Sequence, residues 1–164
     1  MERIRLRLRS RGWGRLAMGS KWVAAGALLF DPKGRVLLVR SRMRGTWEYP
    51  AGSSAGRESP LETCRREVGE EVGLRPESYR LIGVDFFHRG TPNGNLLFTF
   101  AAKLTENEMK GLRIQKLELT EHQWATRDEA LELIAPRLKA RLAELFGAYD
   151  NDKPVYLHTG EPVL

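Results

Sequence analysis

The segment at 59–73 constrains the fold more than any other part of the chain, because it specifies one helix with two unlike faces. Ser59, Pro60 and Glu62 form a capping box with proline at the first helical position, which predicts where the helix begins. Gly73 is the residue type at which helices end. Apolar residues recur at helical spacing and predict a buried stripe, which consists of Leu61, Cys64, Val68 and Val72. Another layer of structure must cover this stripe.

The remaining chain predicts strands on both sides of this helix and further helices after them. Strands are predicted at 22–30, 35–39, 79–87, 95–103 and 117–124, and helices at 130–134 and 138–146. Turn residues at 31–34 predict that the first two strands form a hairpin, and those at 90–94 do the same for the third and fourth. The segment at 40–57 is predicted to be mostly loop. This order favours an α/β layered sandwich with a mixed sheet, in a single domain over residues 1–164.

Positive charge is concentrated in an N-terminal arm at 1–20. The first 22 residues contain seven Lys or Arg and one Glu, which accounts for the whole net charge of +6. The arginines at 2–9 alternate with apolar residues, which predicts a charged edge strand. A solvated edge is the preferred interpretation, and RNA is kept as an alternative partner of the arm.

Composition excludes several classes of protein. No apolar run approaches the ~20 residues that a membrane-spanning helix needs. The one cysteine, Cys64, can form neither an intrachain disulfide nor a cysteine-rich zinc site. We therefore expect a cytoplasmic protein without a membrane partner. The three histidines show no metal-ligand spacing and are assigned no role.

The predicted helix places three carboxylates on one face, opposite the apolar stripe. These are Glu67, Glu70 and Glu71, at positions i, i+3 and i+4. Like charges at this spacing repel, and a bound cation offsets the repulsion. Magnesium suits the arrangement because it prefers oxygen ligands and completes its shell with water and phosphate oxygens. The alternative is a solvated acidic face that Arg65 and Arg66 neutralise.

The spacing of residues 52–74 decides between these alternatives. Nine positions at fixed spacing form one pattern. Seven of them have a fixed residue type and two are apolar, namely Gly52, Glu58, Arg66, Glu67, Glu70, Glu71 and Gly73, with Val68 and Leu74. This pattern resembles the complete Nudix box of MutT-like pyrophosphohydrolases, and the resemblance covers roughly residues 20–145. It implies a Nudix-type α/β/α sandwich in which a loop–helix–loop binds Mg2+ or Mn2+. It also implies hydrolysis of the pyrophosphate linkage in a nucleoside diphosphate joined to another group.

The resemblance also implies roles for individual residues. Glu67, Glu70 and Glu71 match the metal-binding carboxylates, and one of them could serve as the general base. A backbone carbonyl near Ala51 is similar to a further ligand, and Glu118, six residues before Trp124, is a candidate for another. Arg66 supports the catalytic carboxylates, while Gly52, Glu58 and Gly73 are structural. The chain departs from the common pattern at Ala51, Ala55 and Arg57, which concerns accessory ligands and not the helix.

Candidate substrate-binding residues precede the box. Arg40 and Arg44, like Arg42 between them, could hold phosphate oxygens or be ordinary loop charges. Trp47 and Tyr49 could stack on a base, although we expect one of them to belong to the core. Glu48 begins a segment, Glu48-Tyr49-Pro50-Ala51-Gly52, that resembles the corresponding part of ADP-ribose hydrolases.

Two other functions are known for proteins of this fold. An isoprenoid diphosphate isomerase of the same fold would need a cysteine in its cleft, whereas Cys64 lies on the buried stripe. A catalytically inactive nucleotide-binding or sensor module would be expected to have a broken box, and this box is intact. A small nucleotide substrate is therefore expected, and a homodimer is possible. ADP-ribose, an oxidised nucleoside triphosphate, a dinucleoside polyphosphate and a capped RNA end all remain open as substrates.

Overall fold

A mixed sheet organises the protein in the computed structural model, which describes residues 21–88, 90 and 93–163. Its strands are β1 (Trp22–Phe30), β2 (Val36–Ser41), β3 (Trp47–Glu48), β4 (Ala51–Ser53), β5 (Arg80–Phe87), β6 (Asn95–Lys103), β7 (Leu119–Ala125), β8 (Val155–His158) and β9 (Glu161–Pro162). The helices are α1 (Pro60–Val72), α2 (Glu106–Met109), α3 (Arg127–Leu133) and α4 (Lys139–Asp150), and a 3-10 turn at Pro136–Leu138 precedes α4.

The centre of the sheet is the parallel pair β1 and β6, in register from Trp22–Asn95 to Phe30–Lys103. β5 pairs antiparallel with β6 and parallel with β8, so the sheet is mixed, as predicted. The predicted hairpin of β1 and β2 is reduced to one pair, Phe30–Val36. The rest of that edge of β1 pairs with β4, which brings Ala51 opposite Gly26. This pairing places the start of the box beside β1, at the centre of the sheet.

Each face of the sheet buries a separate apolar cluster. β1 alternates between them, since Leu28 and Phe30 lie in one and Ala27 and Leu29 in the other. α1 covers the second cluster through Cys64, Val68 and Val72, all with no exposed surface. α3 and α4 cover the first cluster, in which the largest helical contributions come from Leu142, Leu145 and Phe146. Helices on both faces of a mixed sheet form the predicted α/β/α sandwich.

Helix α1 begins after Ser59 and ends before Gly73, as the sequence predicted. The Ser59 side chain accepts a hydrogen bond from the Glu62 amide, and the Glu62 carboxylate accepts one from the Ser59 amide. Gly73 has a φ angle of 68°, the left-handed conformation that glycine adopts without strain, and its amide donates a hydrogen bond to the Gly69 carbonyl. No helix in the described ranges, α1 included, is long and apolar enough to cross a membrane.

The sequence predicted the long elements better than the short ones. β1 and β6 have the predicted bounds, and the other predicted elements differ by one to four residues. The segment at 40–57 is mostly loop, as predicted, but the strands β3 and β4 within it were not predicted, because they are too short to show periodicity. Leu117 lies before β7, where Gln115 accepts bonds from the amides of Leu117 and Glu118. The predicted edge strand at 2–9 lies outside the described residues, as does part of the predicted turn at 90–94.

Candidate active site

One side of α1 and the strand β4 enclose an acidic cleft of about 500 Å3. We call it the carboxylate cleft, and its lining residues are Ala51, Gly52, Ser53, Arg66, Glu67, Glu70, Glu71, Gln115 and Glu118. The cleft therefore brings together the three helix carboxylates, Glu118 and the Ala51–Gly52 backbone, from a stretch of chain that extends from residue 51 to residue 118. Pairing of β4 with β1, and the contact of α1 with both strands, hold these parts together.

Two positions near the cleft, 26 and 52, require glycine because neighbouring atoms approach the backbone too closely for a Cβ atom. A Cβ atom on Gly52 would lie 2.1 Å from the carboxyl carbon of Glu67, so the space beside Gly52 is the space that this carboxylate uses. A Cβ atom on Gly26 would lie 2.4 Å from the Cβ of Ala51, so Gly26 allows β4 to pack against β1. The Ala51 amide, in turn, donates to Glu71 at 3.1 Å. Gly26 could not be identified from the sequence, because only the pairing of β1 with β4 reveals its role.

Arg66 uses every donor of its guanidinium inside this site. A guanidinium has five N–H groups. Nε and Nη2 donate to the two oxygens of Glu58, at 2.8 and 3.0 Å, and Nη1 donates to Glu67 and Glu70 at 2.7 and 3.0 Å. The remaining Nη2 bond is to the carbonyl of Ser53 at 2.9 Å. Arg66 thus connects the loop, through Ser53 and Glu58, to the helix carboxylates.

Burial and hydrogen bonding shift the pKa values of the site's acids in opposite directions. Burial, and then the neighbouring charge of Glu67, raise the pKa of Glu71 to about 8. Burial also raises the pKa of Glu67, although Arg66 opposes the change. The hydrogen bond from Arg66 lowers the pKa of Glu58 to about 2. Among the acids that line the cleft, Glu71 therefore has the most strongly raised pKa.

The carboxylates face one cleft without converging on one point. Within residues 21–88, 90 and 93–163, no three acidic, histidine or cysteine side chains lie close enough to hold a metal ion in this conformation. Arg66 draws the carboxylates of Glu67 and Glu70 to itself, and the Ala51 amide holds that of Glu71. The donor set nevertheless fits a hard cation, since it consists of carboxylate oxygens whose mutual repulsion a cation relieves.

A second cleft, of about 570 Å3, opens beside the carboxylate cleft between two loops. We call it the loop cleft, and it includes Arg42, Met43 and Arg44 from the loop after β2, Leu117 and Glu118 from the loop before β7, and Ala51 and Glu71. The two loops are joined, because the Arg42 amide donates to the Glu118 carbonyl at 2.7 Å.

A third cleft, of about 420 Å3, extends from Ala51 towards the start of α4, and we call it the helix cleft. Its lining includes Tyr49, Phe87 and Leu97, together with Arg44, Arg137 and Arg141. Glu48 separates the loop and helix clefts and accepts hydrogen bonds from Arg44 at 3.1 Å and Arg137 at 2.6 Å. Arg137 had no signal in the sequence, since its contact with Glu48 depends on the position of α4.

The predicted substrate-binding residues lie in different environments. Arg44 and Glu48 line both the loop cleft and the helix cleft. Arg40 is not among the residues lining these clefts and instead donates to Glu121 and to the carbonyl of Gly45. Trp47 packs against the apolar cluster under α3 and α4, and its carbonyl accepts from the Ala135 amide. Tyr49 is the buried member of the aromatic pair, and its hydroxyl lies 3.3 Å from that of Thr99.

Cys64 has no exposed surface and belongs to the apolar cluster beneath α1. Burial raises the pKa of its thiol to about 12, so the thiolate is not formed near neutral pH. The position and the protonation state both argue against the isomerase alternative, which requires a reactive cysteine in the cleft.

Comparison with known sequences identifies the family. The NUDIX domain matches residues 20–146. A MutT-like protein of Streptomyces ambofaciens is 32% identical over 143 residues, which cover 87% of this chain and 86% of that protein. An RNA pyrophosphohydrolase of Francisella tularensis is 38% identical over 55 residues, which cover 34% of this chain and 36% of that protein.

Comparison with solved structures agrees. The MutT protein of Bacillus halodurans has a TM-score of 0.67 and 28% identity, covering 84% of this chain and 89% of its own. The NUDIX domain of Shewanella oneidensis NrtR, solved with ADP ribose, shares the fold with a TM-score of 0.64 at 18% identity, covering 79% of this chain and 88% of its own. With its uninterrupted box on α1 and a domain match over residues 20–146, this chain belongs to the Nudix family of pyrophosphohydrolases.

Proposed function

We propose that the protein hydrolyses the pyrophosphate linkage of a nucleoside diphosphate joined to another group, with Mg2+ or Mn2+ bound in the carboxylate cleft. The observation that supports this most strongly is the excess of mutually repelling acids in that cleft, which Glu67, Glu70, Glu71 and Glu118 line with a single arginine, Arg66. A divalent cation offsets this repulsion and brings phosphate oxygens to the same place.

The protein's own residues would divide the work as follows. Glu67, Glu70 and Glu71 would hold the cation, with Glu118 and a backbone carbonyl near Ala51 as further oxygen donors. Bound there, the cation supplies charge neutralisation and an attacking water of lowered pKa. Arg66 is a positioning residue, because its five bonds leave no N–H for a phosphate and hold two carboxylates against the loop.

Recognition of the substrate falls to the two neighbouring clefts. Arg44 lies in both of them, beside Ala51 and 3.1 Å from Glu48, where a guanidinium can contact phosphate oxygens. Phe87 in the helix cleft offers aromatic surface for a base. Positive and aromatic side chains next to an acidic cleft suit a substrate with a charged centre and a flat end.

A substrate panel with and without metal tests the proposal. ADP-ribose, a diadenosine polyphosphate, nucleoside triphosphates and a 5′-triphosphorylated RNA are incubated with Mg2+ or Mn2+, and released phosphate and nucleotide are measured. We expect turnover of at least one compound and complete loss of turnover in excess EDTA. Undiminished turnover in EDTA would contradict the metal mechanism. Metal-dependent binding without turnover of any compound would favour the inactive nucleotide-binding or sensor module instead.

A further inference from the structure

The three clefts meet at Ala51, which lines each of them. The loop cleft shares Glu71 and Glu118 with the carboxylate cleft, and it shares Arg44 and Glu48 with the helix cleft. A polyphosphate centred at Ala51 thus has room on two sides. At about 570 and 420 Å3, both spaces fall in the range of sites that bind small organic ligands.

The loop cleft has a feature that a purely phosphate-binding space does not need. Met43 and Leu117, 83% and 84% exposed, line it from two different loops. Those loops are connected by two bonds from Arg42, its amide to the Glu118 carbonyl at 2.7 Å and its Nε to the Lys116 carbonyl at 2.9 Å. Large apolar side chains held at the mouth of a cleft stabilise a ligand group whose apolar surface they cover.

The charged residues of the loop cleft indicate which kind of ligand group could lie against Met43 and Leu117. Arg42 and Arg44 line it together with Met43 and Leu117. A guanidinium plane stacks on a flat ring as well as contacting phosphate. A ribose offers mainly hydroxyl groups, whereas a nucleobase offers both a larger apolar face and polar edges.

We infer that the loop cleft binds a second nucleoside, so that the preferred substrate is a dinucleoside polyphosphate with one base in the helix cleft and the other between Met43 and Leu117. This inference rests on the proposed function for the position of the phosphates. A nucleoside triphosphate would fill only the helix and carboxylate clefts, and ADP-ribose would place a sugar against the apolar pair.

The test compares binding with turnover in the same proteins. The double variant Met43→Ser/Leu117→Ser removes the apolar pair from two exposed positions, and Val163→Ser, another exposed apolar residue, is the matched control. The probes are a methylene-bridged diadenosine tetraphosphate and a methylene-bridged ATP analogue, titrated calorimetrically with Mg2+ present. Turnover of the hydrolysable counterparts gives kcat and KM.

We expect wild-type protein and Val163→Ser to bind the dinucleotide analogue at least about tenfold more tightly than the ATP analogue, a difference of about 1.4 kcal/mol. The double variant should lose this preference, with KM rising for the dinucleotide alone and kcat unchanged. Equal affinity for the two analogues in wild type, or an equal loss of both in the double variant, would overturn the inference. Tight dinucleotide binding without turnover would contradict the proposed function but support the second nucleoside site.

Discussion

Two ionic networks in this protein differ in their balance of charge: one pairs a single cation with a single anion, and the other has more acids than cations. Arg141 and Asp85 form a pair at 2.6 Å whose side chains are 9% and 2% exposed, and the Gly160 amide bonds the second oxygen of Asp85. At the carboxylate cleft, by contrast, the single guanidinium of Arg66 forms salt bridges with Glu58, Glu67 and Glu70. Glu71 and Glu118 also line this cleft.

The difference distinguishes a structural network from one suited to binding a cation. The Arg141–Asp85 pair joins α4, β5 and the turn between β8 and β9, and each charge has its partner within the protein. The carboxylate cleft has more acids than cations, and burial together with the neighbouring charge of Glu67 raises the pKa of Glu71 to about 8. Substitutions in the first network should therefore change stability, and those in the second should change activity.

The largest expected effect is on the buried pair. Asp85→Ala leaves the Arg141 guanidinium buried without its partner, so we expect the free energy of unfolding to fall by about 3–5 kcal/mol. Urea denaturation followed by circular dichroism measures the loss. Glu121→Ala is the matched control, since it breaks the 2.7 Å pair with Arg40, in which both side chains are more than 40% exposed. That change should stay within about 1 kcal/mol, and an equal loss for both variants would remove the distinction.

In the carboxylate cleft, Glu70→Gln and Glu71→Gln should each lower kcat by about 100-fold or more, the scale of losing one charge-stabilising group. Folding should survive, because Cys64, Val68 and Val72 on the opposite face are untouched. Steady-state kinetics with Mg2+ and circular dichroism measure the two properties.

The matched control for these two variants is Glu62→Gln, on the same helix but in the capping box, where glutamine also serves. If both cleft variants were as active as Glu62→Gln, the carboxylates would be no more than a solvated face.

A smaller effect is expected from Gly52→Ala, which tests the contrast between activity and stability without changing any charge. Gly52→Ala places a methyl group where the Glu67 carboxylate lies, and this flexible side chain can move aside. We expect stability to change little and kcat/KM to fall about tenfold, since misplacement of a reacting group by about 1 Å can cost still more. Gly69→Ala is the control, because its Cβ meets open space on the same helix. It should raise the melting temperature and leave the rate unchanged.

The smallest expected effect is a pH dependence of stability in metal-free protein. The folded pKa of Glu71 is raised from 4.5 to about 8, so folding favours its protonated form. This contribution is complete below pH 4.5 and is lost as the pH rises through about 8. We expect the melting temperature with EDTA to fall over that range more steeply for wild type than for Glu71→Gln. Excess Mg2+ should reduce the fall, and identical profiles with and without the substitution would contradict the assignment.

The long elements and the family could be predicted from the sequence, because their signals are local or repeated at fixed spacing. β1, β6 and α1 each have enough residues for periodicity or capping to specify their bounds. β4 has only three residues and no such signal, so its pairing with β1 could not be predicted. The same limit applies to β8 and β9, in the tail after the matched domain.

The candidate site divides in the same way. Sequence by itself determined the acidic face of α1, since capping and helical spacing over 59–73 place Glu67, Glu70 and Glu71 on one side whatever surrounds them. Only the tertiary structure decided which groups meet that face: Gly52 through the β1–β4 pairing, and Glu118 through the loop before β7. It also decided that Met43 and Leu117 line the same cleft, because two bonds from Arg42 join their loops. Such contacts depend on closing long stretches of chain, and no local propensity encodes them.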